Sequence, residues 1–166
     1  KAMGNGYPVA AFGGCAEVMD RVGAFKGGAV HGGTYTANLI ALSAGHATLD
    51  ILAHTDALQT IDRVGAQIMQ VLGRVFAQAD VPCCFAGPPA MFGVHFGEHV
   101  PLNYRDWRVT DSTLYAAFAW GLIERGVMLE PDSREPWFIC EAHQHMDLGW
   151  LEDVATQAIQ AAKQQR

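Results

Sequence analysis

Lys1 stands immediately before the run Ala2-Met3-Gly4-Asn5-Gly6, and a second glycine-rich segment, "HGGTYTAN", sets Gly33 and Thr34 just ahead of a helical pattern. Glycines leave one side of the backbone open, so a ligand can approach Lys1 closely. The Thr34 hydroxyl, the turn's backbone N–H groups and the positive end of the following helix together suit a phosphate. An amine and a phosphate site point to a phosphorylated carbonyl cofactor, with the lysine forming a Schiff base as nucleophile and later carrying a proton. A solvated lysine and a glycine turn without chemical consequence are the alternative reading of the same residues.

Other side chains have plainer roles. His31, beside the phosphate-type loop, reads as a hydrogen-bonded support, and His46 as a satisfied core histidine. Arg134 and Glu135 read as an exposed ion pair. Tyr35 either packs or lines a site mouth. Cys140, His143 and His145 are the one tempting zinc cluster, but they lack a second ligand pair at structural spacing, so no metal is expected.

The elements that must position these groups follow from periodicity. Tyr7 to Gly14, apolar between glycines, reads as a buried strand, and "AEVMDRV" as one short helix. The glycine-rich stretch from Gly23 to Asn38 is a loop. From Thr36, "TANLIALSAGHATLDIL" carries small and apolar residues all round, which predicts a helix buried on most sides. An amphipathic helix follows, with Leu58, Ile61, Val64, Ile68, Val71, Leu72 and Val75 on one face and Thr55 or Asp56 as its cap. Beyond residue 80 come two strands joined by "AGPPA", a helix capped by Asp111 or Ser112 and ending before Gly126, a strand in "PWFICEAH", and an amphipathic C-terminal helix. That order is an α/β one. The expected organisation is 1–54, a bridging helix over 55–80, and a small domain over 81–166.

Composition narrows the partners. Half of the 166 residues are hydrophobic, enough for a core of ordinary size, and the net charge of -6 with no basic run argues against nucleic acid. No apolar stretch reaches the roughly 20 residues needed to span a bilayer, and no signal peptide opens the chain, so a soluble cytoplasmic protein is expected. The four cysteines form no disulfide framework.

The stretch "KAMGNGYPVAAFGGCAEVMDRV" followed by "HGGTYTANLIALSAGHATLDIL" resembles the region around the cofactor lysine of the class III aminotransferases, which are fold type I pyridoxal phosphate enzymes. It is most similar to the branch containing glutamate-1-semialdehyde aminomutase. Lys1, Gly4, Gly6, Pro8, Gly13, Gly14, Gly33, Thr34 and Asn38 fall on the family's positions. "MFGVHF" resembles a small-domain strand of the family. Gly126, Val127, Leu129, Pro131, Glu135, Phe138, Ala142 and His143 match its following segment, where His143 reads as structural. Departures are Leu39 for a frequent proline, Cys140 for a frequent serine, and charged Asp132 and Arg134 at positions usually uncharged.

The resemblance implies an α/β chain, the end of the large cofactor-binding domain of a fold type I transferase plus its C-terminal small domain. It implies pyridoxal 5'-phosphate on Lys1, with Gly33 and Thr34 holding the phosphate, Thr34 reaching across a homodimer interface. The implied reaction moves an amino group from an amino acid or amine to an oxo acid through a Lys1 Schiff base. A 2,1-aminomutase, or a non-catalytic C-terminal fragment acting as a binding or scaffold module, are the alternatives. In the family the aspartate that pairs with the pyridinium nitrogen, an aromatic ring on the cofactor and one phosphate turn precede the lysine. This chain is therefore expected to be a C-terminal portion split at Lys1, folding poorly when alone.

Overall fold

The structure, a computed structural model, describes residues 2–23 and 28–165. The chain divides into two compact units, Lys1–Asp56 and Ala57–Arg166.

The first unit is sparse. A single 3-10 turn, Ala2–Gly4, leads into extended chain, then into the short helix α1, Ala16–Met19. The expected strand from Tyr7 to Gly14 does not form: the segment is without regular structure and largely exposed. A strand needs a ladder partner, Pro8 has no N–H to offer one, and among the described residues no second strand lies beside it. Helix α2, Leu39–His54, forms as expected, with the Asn38 side chain accepting from the Ala41 N–H at 3.0 Å. It is not buried on most sides, however. Only Ala41 and Gly45 are buried, while Leu39 is 79% and Ile40 66% exposed. His46, expected in a core, is exposed for the same reason: nothing among the described residues of this unit covers that face.

The second unit has an ordinary core. Helix α3, Ala57–Gln78, buries Val64, Ile68, Val71, Leu72 and Val75 as the period predicts, whereas Leu58 is exposed near its start. Thr55 closes α2 by donating its hydroxyl to the Ile51 carbonyl at 2.7 Å. Strands β1 (Cys83–Ala86), β2 (Met91–Phe96) and β3 (Trp137–Phe138) make an antiparallel sheet in the order β1-β2-β3, with Cys84 opposite His95 and Phe92 opposite Trp137. The "AGPPA" turn joins β1 to β2, closed by the Met91 N–H on the Pro88 carbonyl at 2.9 Å. Gly87 takes φ +101 in it, a conformation that favours glycine.

Helix α4, Tyr104–Trp107, is a short unpredicted turn capped by Asn103. Helix α5, Ser112–Ile123, starts on the Asp111 carboxylate and is followed by Gly126 at φ +91, as its ends predicted. The "PWFICEAH" strand is shorter than its pattern suggested, because after two paired residues the chain winds into a 3-10 segment, Glu141–His145. Helix α6, Leu148–Gln164, closes the unit, its first amides received by Asp147. Helices α3, α5 and α6 cover the sheet face that carries Phe92, Val94 and Phe96; at its centre Phe76 meets Phe96 and Phe118 edge-on, and those two rings lie tilted against each other. Where α5 crosses α6, a Cβ on Gly121 would lie 3.1 Å from that of Ala158, so the helices touch through small residues.

One polar group inside this unit sets its pH response. His95 is 8% exposed, its Nδ1 is buried with no hydrogen-bond partner among the described residues, and burial pulls its pKa below 6.5. The folded unit therefore holds a neutral imidazole. As pH falls through 6.5 the unfolded chain takes up a proton that the folded chain refuses, so stability present above that pH drains away below it. Urea midpoints measured at about pH 7.5 and about pH 5.5 should fall with pH, and His95→Phe should flatten the difference; an equal fall in both proteins would remove His95 as the cause.

Candidate active site

The segment after Lys1 is built to sit close to α2. Lys1 itself, the predicted Schiff-base residue, lies outside the described residues. The Asn5 N–H bonds the Ala2 carbonyl at 3.1 Å and the Tyr7 N–H bonds the Gly4 carbonyl at 3.0 Å, and Asn5 and Gly6 both take positive φ, +46 and +97. This double turn brings Val9 back over Gly4, where an added Cβ would lie 2.6 Å from Val9 Cγ1. On the other side, a Cβ on Gly45 of α2 would meet the same Val9 methyl at 3.6 Å and the Met3 carbonyl at 3.8 Å. Two glycines thus let the backbone that follows Lys1 rest on the middle of α2.

Gly33 and Thr34 lie in one turn at the other reach of the same helix. The Thr36 N–H bonds the Gly33 carbonyl at 3.0 Å and the Asn38 N–H bonds the Tyr35 carbonyl at 3.1 Å, so the chain coils tightly into α2. A Cβ on Gly33 would approach Thr36 Oγ1 at 3.3 Å, which makes glycine the comfortable residue there. The amides of Thr34 and Tyr35 reach no acceptor among the described residues. Thr34 and Tyr35 lie four and three residues ahead of Asn38, the cap of α2, in exposed chain, and a hydroxyl with free amides is the chemistry that accepts a phosphate without fixed cations. From Asn38 to Gly45 is about 10 Å along the helix axis at 1.5 Å per residue. Helix α2 therefore organises both predicted segments, but at separate points.

Neighbouring groups differ from their simplest readings. The His31 ring packs edge-on against Phe12, with centroids 4.6 Å apart. Tyr35 is 76% exposed. Arg134 pairs with Asp132, not Glu135: its Nε lies 2.9 and 3.0 Å from the two carboxylate oxygens, and its Nη2 also donates to Oδ2. The guanidinium lies over Trp107, Cζ 5.1 Å from the ring, and Trp107 is fixed by its Nε1–H on Ser133 Oγ at 2.9 Å. The Arg134 hydrogen bonds hold the Asp132 carboxyl down at about 2.

Cys140 and His143 bind each other's backbone: the Cys140 N–H donates to His143 Nδ1 at 2.9 Å, which braces the 3-10 segment. No group of three His, Cys, Asp or Glu side chains able to hold a metal occurs among the described residues. Burial pushes the Cys83 thiol up to about 12, which removes it as a nucleophile. One residue of the site escaped sequence reasoning. Ala37, between the Thr34 turn and Asn38, has φ +61, and an alanine carries no signal of a left-handed backbone.

An α/β chain with a lysine-led glycine turn and a hydroxyl-bearing turn at a helix start defines a class, and sequence comparison gives it a family. The profile described as "Aminotransferase class-III" matches residues 1–154, and the chain belongs to that family. It is 32% identical over its whole length to the glutamate-1-semialdehyde 2,1-aminomutase of Pelotomaculum thermopropionicum, covering 38% of that protein. Against the same-named protein of Laribacter hongkongensis it is 30% identical, with 96% of this chain aligned to 37% of the relative. The chain thus spans under two-fifths of the length of these relatives.

Among solved structures, an omega-transaminase from Sphaerobacter thermophilus superposes with a TM-score of 0.76 at 25% identity, covering 97% of this chain and 37% of that one. The pyridoxal phosphate form of the FumI protein of Sphingopyxis sp. MTA144 gives 0.68 at 20% identity, covering 82% and 30%. The α/β fold is that of the transaminases.

Proposed function

We propose that this chain is the C-terminal portion of a pyridoxal-phosphate-dependent aminotransferase, with Lys1 as its cofactor lysine and Gly33 and Thr34 as its phosphate turn. The observation that carries the reading is that turn: a hydroxyl and two unspent amides a few residues ahead of α2, in a member of the class III family. The donor set suits a phosphate. Pyridoxal phosphate, when bound, supplies a carbonyl carbon that accepts an amine and a ring that takes up electron density. Lys1 Nζ anchors it and moves the proton between the substrate carbon and the cofactor's C4′. Thr34 and the amides beside it hold the phosphate, fixing the ring's distance from the lysine.

Substrates in this reading are an amino acid or amine and an oxo-acid acceptor. The apolar side chains that α2 exposes, Leu39, Ile40, Leu42, Leu49 and Ile51, support a homodimer in which Thr34 serves the partner's site. The break between Asp56 and Ala57 supports a large-domain end before it and a small domain after it, to which α3 adds its packing. The four free cysteines suit the reducing cytoplasm. No helix among the described residues is long and apolar enough to cross a membrane.

Borohydride reduction of the holoenzyme, followed by peptide mapping, is the test. A phosphopyridoxyl mass on the lysine of "KAMGNGYP" is the expected result, and an unmodified Lys1 in a cofactor-loaded sample would overturn the assignment. The similarity to aminomutases supports a second reading, an internal 2,1-transfer of the amine. Turnover without any added oxo acid would select it.

A further inference from the structure

We infer that Val9 is a positioning residue for Lys1: its side chain keys the Ala2–Gly4 turn onto helix α2 and so fixes where the lysine enters. The inference rests on the reading above, in which Lys1 carries the cofactor. Gly4 and Gly45 are both buried, and the Val9 side chain lies between them. A Cβ on Gly4 would lie 2.6 Å from Val9 Cγ1, while one on Gly45 would lie 3.6 Å from the same methyl and 3.8 Å from Cγ2. The Met3 carbonyl rests on the same spot of α2, 3.8 Å from that Gly45 Cβ. Neither glycine takes a positive φ, so what Gly4 supplies is space for the Val9 methyl and not backbone freedom.

A β-branched side chain suits this place because its χ1 is stiff. The backbone beneath it is tied to the turn: the Val9 N–H bonds the Tyr7 carbonyl at 2.9 Å, and the Tyr7 N–H bonds the Gly4 carbonyl at 3.0 Å. A methyl that can neither rotate nor withdraw sets the height of the turn over α2. Lys1 is joined directly to Ala2, the first residue of that turn, so a displaced turn carries the lysine with it through one peptide bond. A misplacement of about 1 Å at a reacting group costs roughly 10²-fold in rate.

The test uses the intact holoenzyme. Gly4→Ala should lower kcat by roughly 10²-fold with the KM for an amine donor little changed. It should also move the pH midpoint of the bound cofactor's absorbance, which reads the nitrogen that Lys1 supplies. Adding Val9→Ala removes the clashing methyl, leaving only the Cβ of residue 9 at 3.6 Å, and should recover at least about tenfold of the lost rate. Val9→Ala alone should lower kcat about tenfold, and Val9→Ile, which keeps both methyl positions, should match the parent. These two carry the test if Gly4→Ala does not fold, and a Val9→Ala protein as fast as the parent would then overturn the inference. A Gly4→Ala protein that melts lower but keeps the parent's kcat and absorbance midpoint would overturn it too, leaving a structural role alone. So would a double variant as slow as Gly4→Ala, since Val9 would not then be the partner. In each case Lys1 of the parent still carries the phosphopyridoxyl mass after borohydride reduction, and the proposed function stands. A parent without that mass would overturn both.

Discussion

Exchange of Lys1 for alanine in the holoenzyme should lower turnover by roughly 10⁴-fold while leaving the protein folded, because in the proposed function one side chain both anchors the cofactor and moves the proton. Single-turnover kinetics with an amine donor reads the chemical step directly. Activity within about tenfold of the parent would move the chemistry to another residue. Thr34→Ala should leave the lysine intact and weaken pyridoxal phosphate by roughly ten- to hundredfold, the value of one hydrogen bond to a charged group. The two variants together locate Thr34. If it serves the partner's site, a hybrid of Lys1→Ala with Thr34→Ala has one doubly damaged site and one intact site. Random mixing at limiting cofactor then restores about a quarter of the parental sites. If Thr34 acts within its own subunit, every hybrid site is damaged and mixing restores nothing.

Gly65→Ala should destabilise the second unit by about 3 kcal/mol, the range of overpacking against an unyielding neighbour. A Cβ built on Gly65 lies 2.0 Å from the Pro89 carbonyl oxygen and 2.5 Å from its carbon. Both are backbone atoms of the β1–β2 turn, so α3 or the turn must move as a body. The movement would pull Val64 and Ile68 from the core they help to fill. Gly73, two turns further along α3, is the control: its Cβ would meet only Phe85 Cε2, at 3.8 Å. Gly73→Ala should stabilise by about 0.5–1 kcal/mol, the helix propensity difference. Equal urea midpoints for the two variants would show that the close approach at Gly65 is not a constraint.

These two glycines mark where sequence reading stops. Both interrupt the same amphipathic pattern, and nothing local tells a glycine that a turn leans on from one that faces open space. The long helices were legible because their burial follows a period: α3 hides Val64, Ile68, Val71, Leu72 and Val75, as a one-sided pattern requires. One cap was legible too, since Asp111 acts on an amide three residues away, whereas Asn38 and Asp147 came only with the structure. Tyr7 to Gly14 failed as a strand because a strand is defined by a partner, which a run of apolar residues does not supply. The apolar surround of α2 was read as burial, yet it describes what the helix is suited to touch, and in this chain its Leu39, Ile40 and Leu49 face water.

By itself the sequence determined the long helices α2, α3, α5 and α6 and the β1–β2 hairpin, because each depends on residues near one another in the chain. Only the tertiary structure decided that α2 carries both turns at separate points, that Arg134 answers Asp132 over the Trp107 ring, and that Ala37 takes a left-handed backbone. Contacts between distant residues and backbone angles forced on an ordinary side chain are properties of the folded whole, and no local residue pattern encodes them.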